Sequence, residues 1–274
     1  MELAIITIFS LCEDLLTALR HTEDPQNRMS DAEVMTVAIT AAYFFSGHIR
    51  LTREFLLEFG FIPHVLSESR LNRRMHAIPE SVWGALFKVL AETFKATNPD
   101  QEYCVDSFPI PVCDNIRIQR CRLYRGEDYR GYIASKRRYF YGLRVHMVVT
   151  AGGKPVEFVL RPGEENDVSV FKDLNFDLPE GAHCYGDKMY NDYAHEDLLQ
   201  EAAHIHFEPL RKKKSKRATT YLNERYKPVI RKRIETSFSQ ITAFFPKTIH
   251  AVTPRGFELK IVLFILAFGL QFLL

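Results

Sequence analysis

Residues 102–109 read Glu-Tyr-Cys-Val-Asp-Ser-Phe-Pro, an apolar run that closes on the carboxylate of Asp106. A run this short and apolar predicts a buried strand, and its terminal acid falls where a sheet opens to solvent. Stripping a carboxylate of water costs several kcal/mol unless something pairs with it, so Asp106 demands partners. Two later stretches supply them. Cys184-Tyr185-Gly186-Asp187 is a second short strand ending on an acid, and Glu235 stands in the basic, helical segment Arg231-Lys232-Arg233-Ile234-Glu235. The expectation is that Asp106, Asp187 and Glu235 converge.

With 274 residues, 46% of them hydrophobic and 26% charged, the chain has the make-up of a globular protein with one large domain or two. Lys and Arg number 36 against 34 acids, so net charge decides little. The distribution decides more. Nine basic residues fall between 117 and 144, and eleven between 211 and 233. Two such windows flanking the candidate acids point to a polyanion, and specifically to nucleic acid. Five cysteines without a close C-x-x-C pair predict reduced thiols and a cytoplasmic, nucleoid-associated protein. The apolar stretch 261–274 is shorter than the roughly 20 residues that cross a bilayer, which predicts a buried final helix and no membrane partner.

The first hundred residues carry helical spacing. Ser30-Asp31-Ala32-Glu33 is a capping box, and Trp83, Leu86, Phe87, Leu90 and Phe94 recur at intervals of three and four. The turn at Gly60-Phe61-Ile62-Pro63 precedes a short helix bearing Arg70, Arg73 and Arg74. This is either a helix-turn-helix presenting those arginines to a major groove, or a helix with surface arginines. Asn98-Pro99-Asp100 then breaks the pattern. A hairpin about Gly152-Gly153, strands at 183–186 and 205–210, and helices at 167–174, 192–203 and 221–245 follow. The order is that of an α/β domain with a mixed sheet, so the expected division is an all-α N-terminal domain at 1–99, DNA-binding in role, and a catalytic domain at 100–274. A basic insertion near 115–138 interleaves Arg122, Arg125, Arg130, Lys136, Arg137 and Arg138 with Tyr124, Tyr129 and Tyr132. Cations alternating with aromatics suit phosphates and unstacked bases, and the absence of periodicity predicts a loop that orders on DNA.

Three carboxylates from separate elements suit hard divalent ions, which take oxygen ligands and work in pairs on phosphodiesters. The expected cofactor is Mg2+ or Mn2+, two ions per site, held by Asp106, Asp187 and Glu235. Asp167 and Asp192 each precede a helix and read as N-caps, and Asp114 reads as a turn residue. His146, in an apolar strand, reads as structural or as a surface contact. Lys188, Lys212, Lys213, Arg231 and Lys232 are candidate contacts to a DNA backbone, with salt bridges to the three acids as the competing role.

Five features stand in order: Asp106; the strand Tyr139-Phe140-Tyr141-Gly142-Leu143-Arg144-Val145-His146; Pro162-Gly163-Glu164-Glu165-Asn166-Asp167; Gly186-Asp187-Lys188-Met189-Tyr190; and Arg231 four residues before Glu235. With 48 positions from Asp187 to Glu235, the set resembles the DDE transposases of bacterial insertion sequences over residues 100–270. The resemblance implies an RNase H-like catalytic domain, a magnesium-dependent triad at Asp106, Asp187 and Glu235, and a helical DNA-binding region before it. Thr242 stands seven residues after Glu235, where the family commonly has Lys, and Pro228 stands three before Arg231, where Tyr is usual. The function it implies is metal-dependent cleavage of element ends and strand transfer by a homodimer on double-stranded DNA, with terminal inverted repeats and target DNA as partners. Two alternatives keep parts of this reading: an RNase H-like structure-specific nuclease, and a non-catalytic DNA-binding protein.

Overall fold

A computed structural model of the chain describes residues 1–133, 136–211, 215–217, 232 and 235–274. The chain forms two compact units, Met1–Leu90 with Phe244–Leu274, and Ala91–Ala243. These bounds depart from the expected 1–99 and 100–274, because the last helix packs with the first helices.

The helical unit contains α1 (Glu2–Ala18), α2 (Asp31–Phe44), α3 (Ile49–Glu58), α4 (Glu68–Ala77), most of α5 (Glu80–Ala96) and, from the chain's end, α9 (Pro254–Leu270). The predicted capping box opens α2: the Glu33 amide donates to Ser30 Oγ at 3.1 Å and the Ser30 amide to Glu33 Oε2 at 2.7 Å. That closes two of the four free donors at the helix start. Helix α2 is buried along almost its whole length because α1, α3, α4 and α9 all contact it. Helix α9, started by the Thr253 hydroxyl on the Gly256 amide, buries every residue from Leu263 to Leu270. Each such Leu, Ile or Phe contributes about 1.5–3 kcal/mol, which is why this apolar stretch is a core helix as expected. Among the described residues no single helix is long and apolar enough to cross a membrane.

The second unit is built on a six-stranded mixed sheet. Its strands are β1 (Glu102–Cys113), β2 (Arg130–Ile133), β3 (Arg138–Thr150), β4 (Pro155–Pro162), β5 (His183–Gly186) and β6 (His206–Pro209). Central β1 runs antiparallel to β3 and parallel to β5, which is parallel to β6. Strands β2 and β4 share the outer edge of β3, end to end. With α6 (Asp167–Asp173), α7 (Tyr193–Ala203) and α8 (235–244) added, this is the mixed sheet flanked by helices that the sequence predicts.

Two elements differ from expectation. The first strand does not stop at Asp106 but runs seven residues further, through Pro109 and Pro111. Pairing with β5 ends at Val105, so beyond it β1 has a neighbour on one side only. The Glu102 carbonyl accepts the Ala151 amide on the β3 side, so positions 109 and 111, of opposite parity, direct their backbone to the side β5 has vacated. There a missing N–H breaks no ladder bond. The basic insertion, expected as a loop, holds two short 3-10 turns (Asn115–Arg120 and Glu127–Tyr129) and the edge strand β2. Its tyrosines explain the order. The Tyr124 ring lies 4.6 Å from Tyr129, which lies 6.2 Å from Tyr141, and the Tyr141 hydroxyl donates to the Gly126 carbonyl at 3.0 Å.

Candidate active site

The parallel register of β1 and β5 pairs Val105 with Gly186, so the next residues along the two strands, Asp106 and Asp187, are neighbours across the sheet. Gly186 lets the strands approach: a Cβ there would sit 3.1 Å from Val105 Cγ1 and 3.0 Å from the Phe207 ring. Asp187 leaves the strand and caps the single turn Lys188–Tyr190, accepting the Lys188 amide at 2.6 Å. Asp106 stays within β1, on the same face as buried Cys104 and Phe108, with the Ser107 amide on its Oδ1 at 2.7 Å.

Burial, above all, pushes the Asp106 carboxyl up to about 7; the charges of Asp187 and Asp167 push the same way, while the Ser107 amide and Arg144 oppose them. An acid in this state lacks the positive charge that would pay for its desolvation. The β1–β5 register sets Asp106 beside Asp187.

Asp167, expected to cap α6, is not the cap. Asn166 accepts the Ser169 amide at 2.9 Å and takes that role, which frees the next carboxylate to turn inward. The Asp167 side chain is 13% exposed and receives the Ser107 hydroxyl at 3.4 Å. Arg144 Nη1 lies 3.8 Å and His146 Nδ1 3.7 Å from the same oxygen. Burial raises its pKa first, with Arg144 and Ser107 opposing. The two candidate caps in the Asn166-Asp167 pair were the available signal: one helix start needs one cap, so the spare acid has another use.

His146 is fully buried, which removes the surface alternative, and its Nδ1 shares a 3.1 Å hydrogen bond with the Tyr190 hydroxyl. Burial, with Arg144 and Arg161 nearby, pulls its pKa down to about 3, so the ring is neutral at physiological pH. The bond ties β3 to the turn that Asp187 caps. Arg144 spans the site, with Nη1 3.5 Å from Ser107 Oγ and Nη2 donating to the Tyr132 carbonyl at 3.2 Å.

Glu235 is exposed at the described start of α8, three residues before Phe238. The Phe238 ring lies 6.2 Å from Phe108, the next residue after Asp106 on the same face of β1. Helix α8 thus packs on the face that carries the first aspartate. Among the described residues, though, no three His, Cys, Asp or Glu side chains are grouped closely enough to hold a metal ion. The donor chemistry of the Asp106 and Asp187 pair still fits a hard divalent cation, which takes carboxylate oxygens and offsets like-charge repulsion.

The candidate DNA contacts divide sharply. Arg70 and Arg73 are exposed on α4, but Arg74 is half-buried and bound to Asp31 at 2.7 Å, an acid that also meets His21 at 2.8 Å. A guanidinium committed to a buried carboxylate is not available to a phosphate, so Arg74 leaves the set. Arg122, Arg125, Lys136, Arg137 and Arg138 are exposed, as are Lys188 and Lys232. Arg130 is exposed and pairs with Glu127 at 2.7 Å. Lys212, Lys213 and Arg231 lie outside the described residues. Asp192 is the N-cap of α7 as expected, on the His195 amide at 3.1 Å, and Asp114 is exposed just before the 3-10 turn.

The family described as the transposase DDE domain matches residues 97–270, a span that includes Asp106, Asp187 and Glu235. No curated protein matches the chain. A solved structure, the Mos1 mariner paired end complex with Mn, aligns with 92% of this chain and 84% of that one at 13% identity. Its TM-score of 0.25 is too low to argue from.

Proposed function

We propose, from the premise that this chain belongs to the transposase DDE domain family, that it cuts the ends of a DNA element and joins them to target DNA. One observation carries the reading: the β1–β5 register that sets Asp106 beside Asp187 on adjacent parallel strands. Asp106 and Asp187 hold divalent metal, and Glu235 from α8 completes the set. When bound, magnesium or manganese ions supply positive charge at the attacking and leaving oxygens of a phosphodiester.

The chain's own groups prepare that site. The Ser107 amide orients the Asp106 carboxylate, and the Lys188 amide orients Asp187. Arg144, Ser107 and Asp167 brace β1 against α6, while Tyr190 and His146 hold the Asp187 turn against β3. Lys188, exposed beside Asp187, offers its charge to a phosphate. The helical unit retains DNA through Arg70 and Arg73, and a homodimer brings two ends together in the bacterial cytoplasm, on the nucleoid.

The test uses a duplex carrying the inverted repeats that bound the coding sequence. Asp106→Asn and Asp187→Asn should each lower magnesium-dependent end cleavage at least about a hundredfold, since metal-borne charge is worth several kcal/mol. Retention on the duplex at moderate salt should persist. Cleavage by Asp106→Asn at the wild-type rate would sink the assignment. Nicked product without joined DNA would favour the nuclease reading instead.

A further inference from the structure

The tyrosines in and just after the basic insertion fall into two classes. Tyr124 is buried and Tyr129 half-buried, their rings tilted against one another with centroids 4.6 Å apart. Tyr132 and Tyr139 face solvent, 46% and 56% exposed. They are direct partners across the antiparallel β2–β3 pair, with ring centroids 5.0 Å apart and planes tilted by 54°. Strand β2 is the outermost strand at this end of the sheet. In the segment between the two tyrosines Lys136 and Arg137 are exposed, as is Arg138 beside Tyr139.

One side chain ties this edge to the central strand. Arg144 donates Nη2 to the Tyr132 carbonyl and sets Nη1 3.5 Å from Ser107 Oγ on β1. Tyr139 stands eight residues along β3 from Met147, the partner of Asp106, so the two rings lie at the other end of that strand, roughly 25 Å from the acids.

We propose that Tyr132 and Tyr139 are a stacking platform for one unpaired DNA base at the outer edge of the sheet that carries Asp106 and Asp187, with Lys136, Arg137 and Arg138 on the adjoining phosphates. The inference rests on the reading of the chain as a DNA-cutting enzyme. It deepens that reading by naming the form of DNA bound. Paired bases hide their faces inside the duplex, whereas an unpaired base offers a face to any exposed ring. The neighbouring cations select a polyanionic strand over an apolar protein surface.

The experiment uses the full chain without divalent ions, so that no strand is cut. Two duplexes of equal length are compared, one blunt and one with a short single-stranded overhang carrying 2-aminopurine. Overhang fluorescence should be quenched on binding. Tyr132→Ala with Tyr139→Ala should weaken binding to the overhang about tenfold or more, the scale of losing a base–aromatic stack, and leave the blunt duplex within twofold. Tyr132→Phe with Tyr139→Phe keeps both rings and should retain wild-type affinity. Equal weakening on both duplexes, no weakening, or loss in the phenylalanine pair would overturn the proposal. Should the alanine pair fail to fold, leucine at both positions keeps the sheet edge covered without a π face: loss of overhang preference supports the platform, and its persistence overturns it. Failure of the enzyme reading has a separate signature, wild-type protein that prefers the overhang through these tyrosines yet never cuts DNA in magnesium.

Discussion

Replacing Asp106 with asparagine should stabilise the metal-free protein at neutral and alkaline pH, at the expense of its chemistry. The carboxyl moves from an ordinary 3.8 to about 7 in the folded chain, chiefly because it is buried. A raised folded pKa means that the native state binds the proton more tightly than the unfolded chain does. The stability from that proton is complete below pH 4 and is lost as pH rises through 7. Three units at about 1.36 kcal/mol each set a ceiling of about 4 kcal/mol. Asparagine has no proton to lose, and its side-chain oxygen still accepts the Ser107 amide. Wild type and Asp106→Asn should therefore melt together near pH 4 and diverge upward, with the variant about 10 °C higher by pH 8 in EDTA, taking 2–4 °C per kcal/mol for a unit of this size. Millimolar magnesium should close the gap by stabilising wild type alone. Calorimetric scans at four pH values decide the matter. Parallel pH trends for the two proteins, or a gap that narrows from pH 4 to pH 8, would refute the account of Asp106 as a carboxylate forced out of water.

Four further outcomes follow from the same geometry. Arg74→Ala strands the Asp31 carboxylate with only His21 and the Glu23-held backbone around it, and should cost about 2 kcal/mol in urea unfolding. Arg70→Ala and Arg73→Ala should each stay within about 0.5 kcal/mol of wild type while lowering the salt slope of DNA retention by about one. Tyr190→Phe leaves His146 Nδ1 without its 3.1 Å partner and should cost about 1–3 kcal/mol in stability, with kcat falling at unchanged KM as the Asp187 turn loosens. Asp167→Asn removes one of the charges that raise Asp106, so the pH window in which wild type loses stability should move downward in the same calorimetric scans.

The parts of this molecule that sequence reveals are those set by neighbours along the chain. Strand β5 at His183–Gly186, the turn at 151–153, the Ser30 capping box and the Asp192 cap all depend on residues within a few positions of one another, and the fold keeps each. What stayed hidden depends on who stands alongside. Pro109 and Pro111 read as the end of a strand until β5 is seen to stop at Val105 and leave their side of β1 open. Three tyrosines in the basic insertion look alike until the pairing of β2 with β3 turns Tyr132 outward beside Tyr139 and the Tyr141 hydroxyl pins the loop around Tyr124. Asp167 hides behind Asn166 for the same reason, since only the register that puts Ser107 opposite His146 creates a polar pocket for a spare carboxylate. The acid pair itself lies between these cases. Each aspartate announces itself by ending an apolar run, but their adjacency is a property of parallel pairing, and a slip of one residue between β1 and β5 would turn Asp187 away from Asp106. Gly186 favours the observed register, because a Cβ there would crowd Val105 at 3.1 Å and the Phe207 ring at 3.0 Å.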